Sequence, residues 1–140
     1  MRIHALAVLV ASLLPIASPV LAQGQLSVDW EWKSAHRCSA TSPTLMIAGI
    51  PSDTRTLEVT LVDHDAMHFN HGGGSAPHSG GETATLPEGA LQKYQGPCPP
   101  NFSSFGHDYE FKVRAIAADG ISELARGSKT RTFSAKTVKD

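Results

Sequence analysis

The chain has 140 residues, enough for one domain with one core, and its 12 lysines and arginines against 13 acids leave a formal net charge of −1. That balance excludes the basic footprint of a nucleic-acid binder, and no basic run marks an anionic membrane surface. Nothing repeats at a fixed period, and the connections are too short to announce a second domain.

Residues 1–22 read as a signal peptide. Met1-Arg2 is a positive start, residues 5–16 form a short apolar run, and Val20-Leu21-Ala22 offers the small residue a signal peptidase needs. Cleavage before Gln23 leaves a domain over 23–140, periplasmic or secreted. Pro15 and Ser18-Pro19 argue against an uncleaved anchor, and no later stretch is apolar enough for stable membrane insertion. An even cysteine count in an exported chain predicts that Cys38 and Cys98 pair. By chain entropy, a loop of about 60 residues would then gain roughly 4 kcal/mol. Two buried thiols or a metal pair are the alternatives.

Leu26, Val28, Trp30 and Trp32 alternate with polar residues, which predicts a half-buried strand. Residues 36–42 are turn-like, and His36 reads as a solvated loop histidine. Residues 44–48 form a second apolar run, closed by Gly49 and the turn at 51–53. Residues 56–63 are the clearest strand: Leu57, Val59 and Leu61 share one face, and Thr60 and Val62 the other. Residues 64–81 have no hydrophobic period, and their glycines predict a shaped or mobile loop. A short strand at 82–86 and one or two helical turns at 87–92 follow. Three prolines within 97–100 fix an extended segment. Residues 109–117 alternate as a second strong strand, 121–126 suit a short helix or strand, and 130–134 suit an edge strand before a polar tail. The fold class is mainly β: a single-domain antiparallel β-sandwich with short helical turns.

Two stretches carry the chemistry, 61–74 and 94–109, read as two walls of one polar pocket. A carboxylate beside a histidine fixes its tautomer and favours its charged form. A protonated His71 or His107, a glycine-run nest of N–H groups and the Tyr109 hydroxyl suffice for weak anion recognition. Alternatively, these groups only tie strand-end turns together. The rival ligand is a metal on His64, His68 and His71, since imidazole with carboxylate suits zinc, copper or nickel. Strand alternation weighs against it, and no compact metal motif is present. Hydrolase chemistry finds no Gly-x-Ser-x-Gly elbow, and Asp63 and Asp65 do not face each other across a cleft. No enzyme activity and no cofactor are expected.

Asp63-His64-Asp65-Ala66 resembles the Asp-Pro-Asp-Ala-Pro motif of the phosphatidylethanolamine-binding proteins. Gly96-Pro97-Cys98-Pro99-Pro100, followed by Gly106-His107-Asp108-Tyr109, resembles that family's second motif, Gly-Pro-x-Pro-Pro with His and Tyr shortly after. Cys38, Ser42-Pro43 and Pro51 resemble the start of its bacterial, Raf-kinase-inhibitor-like branch, so the likeness covers residues 38–118. It implies a sandwich of that family's type. It also implies a small-anion or phosphate-headgroup pocket lined by Asp63, Asp65, His71, Pro97, Pro99, His107 and Tyr109. A protein partner is implied by the branch name alone. His64 and Met67 replace the first motif's prolines, which loosens that turn. Asp108 replaces an arginine, which removes a cation. The connection from His71 to Gly96 is short, which trims one wall.

Overall fold

The computed structural model describes residues 23–140, so the signal peptide expected over 1–22 lies outside the described residues. Nine strands form: β1 (Gly24–Gln25), β2 (Ser27–Asp29), β3 (Leu45–Ala48), β4 (Thr54–Asp63), β5 (Gly72–Pro77), β6 (Thr83–Leu86), β7 (Lys93–Tyr94), β8 (His107–Ala117) and β9 (Glu123–Phe133). One sheet runs β1-β9-β8-β4-β5-β7 and the other β2-β3-β6. The class is mainly β, as expected, with one departure from an all-antiparallel plan: β1 runs parallel to β9. A single 3-10 turn, Ser34–His36, is the helical structure among the described residues, and no helix there is long and apolar enough to cross a membrane.

The core follows from strand period. Leu57, Val59 and Leu61 of β4 lie opposite Ala115, Val113 and Phe111 of β8, and all six are buried. Val28, Ile47, Leu45 and Leu86 of the smaller sheet join the same apolar cluster. Trp30 and Trp32 close it, with Trp30 edge-on to Phe111 at 4.9 Å and Trp32 edge-on to Phe133 at 5.3 Å. At roughly 1.5–3 kcal/mol per large apolar side chain, this inward face is the main source of stability.

Five local expectations need correction. The strand predicted across Trp30 and Trp32 stops at Asp29, whose carboxylate accepts the Trp30 N–H at 3.1 Å while the Trp32 carbonyl is taken by the N–H of Lys139. His36 is not solvated: it is 1% exposed, with Nδ1 accepting the Lys33 N–H and Nε2 donating to Glu88 at 2.8 Å. The region 87–92 is a turn rather than a helix, because Gly89 takes a positive φ of 79° and donates its N–H to the Ser42 carbonyl. The two pieces expected at 121–126 and 130–134 are one strand, β9, paired with β8 over its length.

The fifth correction positions the site. The glycine run is not a mobile loop but the strand β5, held between β4 and β7. The backbones approach so closely that a Cβ on Gly72 would overlap the Lys93 carbonyl oxygen, and one on Gly73 the Val59 carbonyl oxygen. Gly72 also has φ 66°, which a side chain disfavours. Gly72→Ala should therefore lower stability by about 1–3 kcal/mol, read as a lower urea midpoint. A midpoint equal to the parent's would contradict this packing.

Candidate functional site

The inward face of β4 ends in a charge. Asp63 occupies the next inward position after Leu61 and is 3% exposed. Directly across, Tyr109 on β8 is 1% exposed, and His107 stands one inward position further along. The apolar stripe of two long neighbouring strands thus becomes polar at one end of the sheet.

Asp63 is fully engaged. Its Oδ1 accepts the N–H groups of Asp65 at 2.9 Å and Ala66 at 3.1 Å, forming an Asx-type turn that reverses the chain after β4. The turn, which lacks the prolines of the resembled motif, is locked by this side chain instead. Oδ2 accepts Nδ1–H of His107 at 2.8 Å. A carboxylate only accepts, so the proton sits on His107 Nδ1. Burial pushes the Asp63 carboxyl up. The His107 bond, the Asp65 N–H, the His107 charge and the Tyr109 hydroxyl outweigh it, so its pKa lies below the ordinary 3.8. Burial first, then the Asp63 charge beside it, raise the Tyr109 hydroxyl well above the tyrosine range, so it stays protonated.

His71 arrives from the other side. It is 3% exposed, and its Nδ1–H donates to the Gln95 carbonyl at 2.8 Å while Gln95 N–H returns a bond to the His71 carbonyl. This reciprocal pair extends the β5–β7 ladder and fixes the ring. His71 Nε2 then lies 3.6 Å from Asp63 Oδ2, beyond hydrogen-bond range.

The second wall is a clamp. Cys38 and Cys98 are bridged, with Cα atoms 4.5 Å apart, as the even cysteine count predicts. Cys38 N–H donates to the Pro97 carbonyl, and Gly96 N–H to the Ser39 carbonyl. The extended proline segment alternates: Pro97 and Pro99 are buried beneath the wall, while Cys98 and Pro100 face the cavity. That cavity, of about 450 Å³, is lined by Asp63, His71, His107 and Tyr109 together with Phe69 and the disulfide.

Of the residues singled out from sequence, these four therefore meet. Asp65 is exposed outside the lining, its Oδ2 accepting Asp108 N–H at 2.7 Å, yet its carboxylate stays within 4.8 Å of ligand atoms of Asp63 and His107. Pro97 and Pro99 support the wall without lining it. The histidine trio weighed as a metal site does not assemble. His64 pairs with Glu110 at 2.9 Å, away from the cavity, because it alternates with inward Asp63. His68 sits exposed at the rim, and only His71 of the three is buried in the pocket. The Gln95 carbonyl and Phe69 carried no sequence signal of their own; Gln95 merely precedes Gly96-Pro97. Asp108, in place of the arginine of the resembled motif, accepts the Thr132 hydroxyl, and no lysine or arginine lines the cavity.

No protein-family model matches the chain, and no curated protein matches it. Fold and site define a coarser class: a mainly-β chain of two sheets with a disulfide-walled pocket organised by one buried carboxylate.

Asp63 also links stability to acid. Its folded pKa lies below the unfolded one, so its stabilisation is full above about pH 4 and is lost as pH falls through the lower, folded value. Asp63→Asn should lose about 2–3 kcal/mol at pH 7, and its deficit against the parent should shrink as the pH falls below the ordinary carboxylate range in chemical denaturation. A constant deficit from pH 7 to pH 2 would contradict the linkage.

Proposed function

We propose that the chain is an exported binding module, not an enzyme, whose pocket holds a small oxyanion such as a phosphate-type headgroup on protonated His71 and His107. The observation that carries this reading is the shared carboxylate. Asp63 accepts from His107 and lies 3.6 Å from His71, so two imidazoles meet one carboxylate at one cavity. The likeness to the phosphatidylethanolamine-binding proteins supports the same ligand class and a sandwich of that type. The disulfide, together with the signal-like N-terminus, supports export. The disulfide leaves no free cysteine among the described residues.

The sign of the pH dependence follows from the charges. With neutral histidines the lining carries the Asp63 charge alone and repels an anion. Two protons on the rings make it net positive. Affinity for inorganic phosphate should therefore rise as pH falls through the range where histidines titrate. His107→Gln should weaken phosphate binding at pH 5.5 by about ten- to a hundredfold, the loss of one charge-assisted hydrogen bond, while His64→Gln should leave it unchanged. Calorimetric titration at pH 5.5 and pH 8 checks both; equal affinity at the two pH values, or in His107→Gln, would sink the reading.

A further inference from the structure

We propose that the same pocket binds a divalent first-row metal ion of the zinc class through Asp63, Asp65, His107 and His71. This goes beyond the anion reading and does not rest on it.

Two acceptor atoms face each other across the pocket. The Gln95 carbonyl can only accept, so the neutral His71 ring carries its proton on Nδ1 and a lone pair on Nε2. That lone pair faces Asp63 Oδ2, another acceptor, at 3.6 Å. His71 is 3% exposed, and no hydrogen-bond donor among the described residues meets its Nε2. An ion between these two acceptors would be held by both.

The geometry suits a metal. Ligand atoms of Asp63, Asp65 and His107 all lie within 4.8 Å of one another. Zinc bonds of about 2.0–2.1 Å place two tetrahedral ligand atoms roughly 3.3 Å apart. The separations from Asp63 Oδ2, 2.8 Å to His107 Nδ1 and 3.6 Å to His71 Nε2, straddle that value; for His107 Nδ1 to ligate, the ring's proton moves to Nε2 and the ion takes its place against Asp63 Oδ2. The His71 Nδ1–H bond to a backbone carbonyl is the outer contact that metal-ligating histidines characteristically make. Charge agrees: two carboxylates balance a dication, and no lysine or arginine lining the cavity competes for them. Two imidazoles favour zinc, copper or nickel over calcium and magnesium, which take oxygen ligands. The set shares only His71 with the histidine trio suggested by the sequence.

The test is a zinc titration of chelator-treated protein at pH 7.5, followed by calorimetry and by the NMR signals of the histidine rings. One ion per chain is expected, with the rings of His71 and His107 perturbed and those of His64 and His78 not. Asp63→Asn and His71→Gln should each weaken binding at least about tenfold, and His64→Gln should not. Absence of saturable binding overturns the proposal. So does binding that survives both pocket variants, or that is abolished by His68→Gln alone, the mark of an adventitious rim site. If a pocket variant fails to fold, the ring signals of the parent decide. Phosphate binding at pH 5.5 without zinc binding at pH 7.5 sinks this proposal alone; the reverse outcome sinks the anion reading alone.

Discussion

The structure depends on the parity of β4. A strand places alternate residues on one face, and on β4 that face reads Leu57, Val59, Leu61 and then Asp63. The same residues that make the core therefore deliver a carboxylate to its end, where burial would protonate it were it not answered. It is answered three ways: by the turn N–H groups, by His107 and by the Tyr109 hydroxyl. A one-residue slip of β4 against β8 would turn Asp63 to solvent and Val62 inward, so core and pocket stand or fall on one register.

Much of this is legible in the sequence, because β4 and β8 have strong period-two patterns, and β4 ends and β8 begins in the residues of the two motifs. That Asp63 and Tyr109 face each other follows once the strands pair. What is not legible has physical reasons. β9 turns Ala125 and Gly127 inward, and such small residues give almost no apolar signal. Gly127 must be small because the Leu26 carbonyl lies where its Cβ would be. β5 is a glycine strand for the same reason, close backbone approach, which composition cannot distinguish from flexibility. His36 looks solvated because its neighbours are polar, yet it seats beside Trp32 and spends both ring nitrogens on Lys33 and Glu88. The proline segment announces its extended shape but not its phase, so sequence alone points to Pro97 and Pro99 where Cys98 and Pro100 face the cavity.

The disulfide has a second role beyond chain entropy. It ties the segment after the 3-10 turn to the proline segment, with backbone hydrogen bonds on either side of it. One wall of the pocket is thereby fixed independently of the sheet that carries Asp63. The two walls meet through His71, whose ring is bonded to Gln95 on one wall and faces Asp63 on the other. Among the described residues no lysine or arginine lines the pocket, so Asp63, His68, His71, His107 and Tyr109 are its titratable groups.

Protein partners fix which nitrogen of the His71 and His107 rings carries the proton. Nitrogen-15 NMR of the histidine side chains, recorded on ligand-free protein at pH 8.5, reads this directly. The structure requires the Nδ1–H tautomer at His71 and at His107, held by the Gln95 carbonyl and the Asp63 carboxylate. Finding the Nε2–H tautomer at either ring would contradict the account, because that ring would then direct its lone pair, not its proton, at an acceptor.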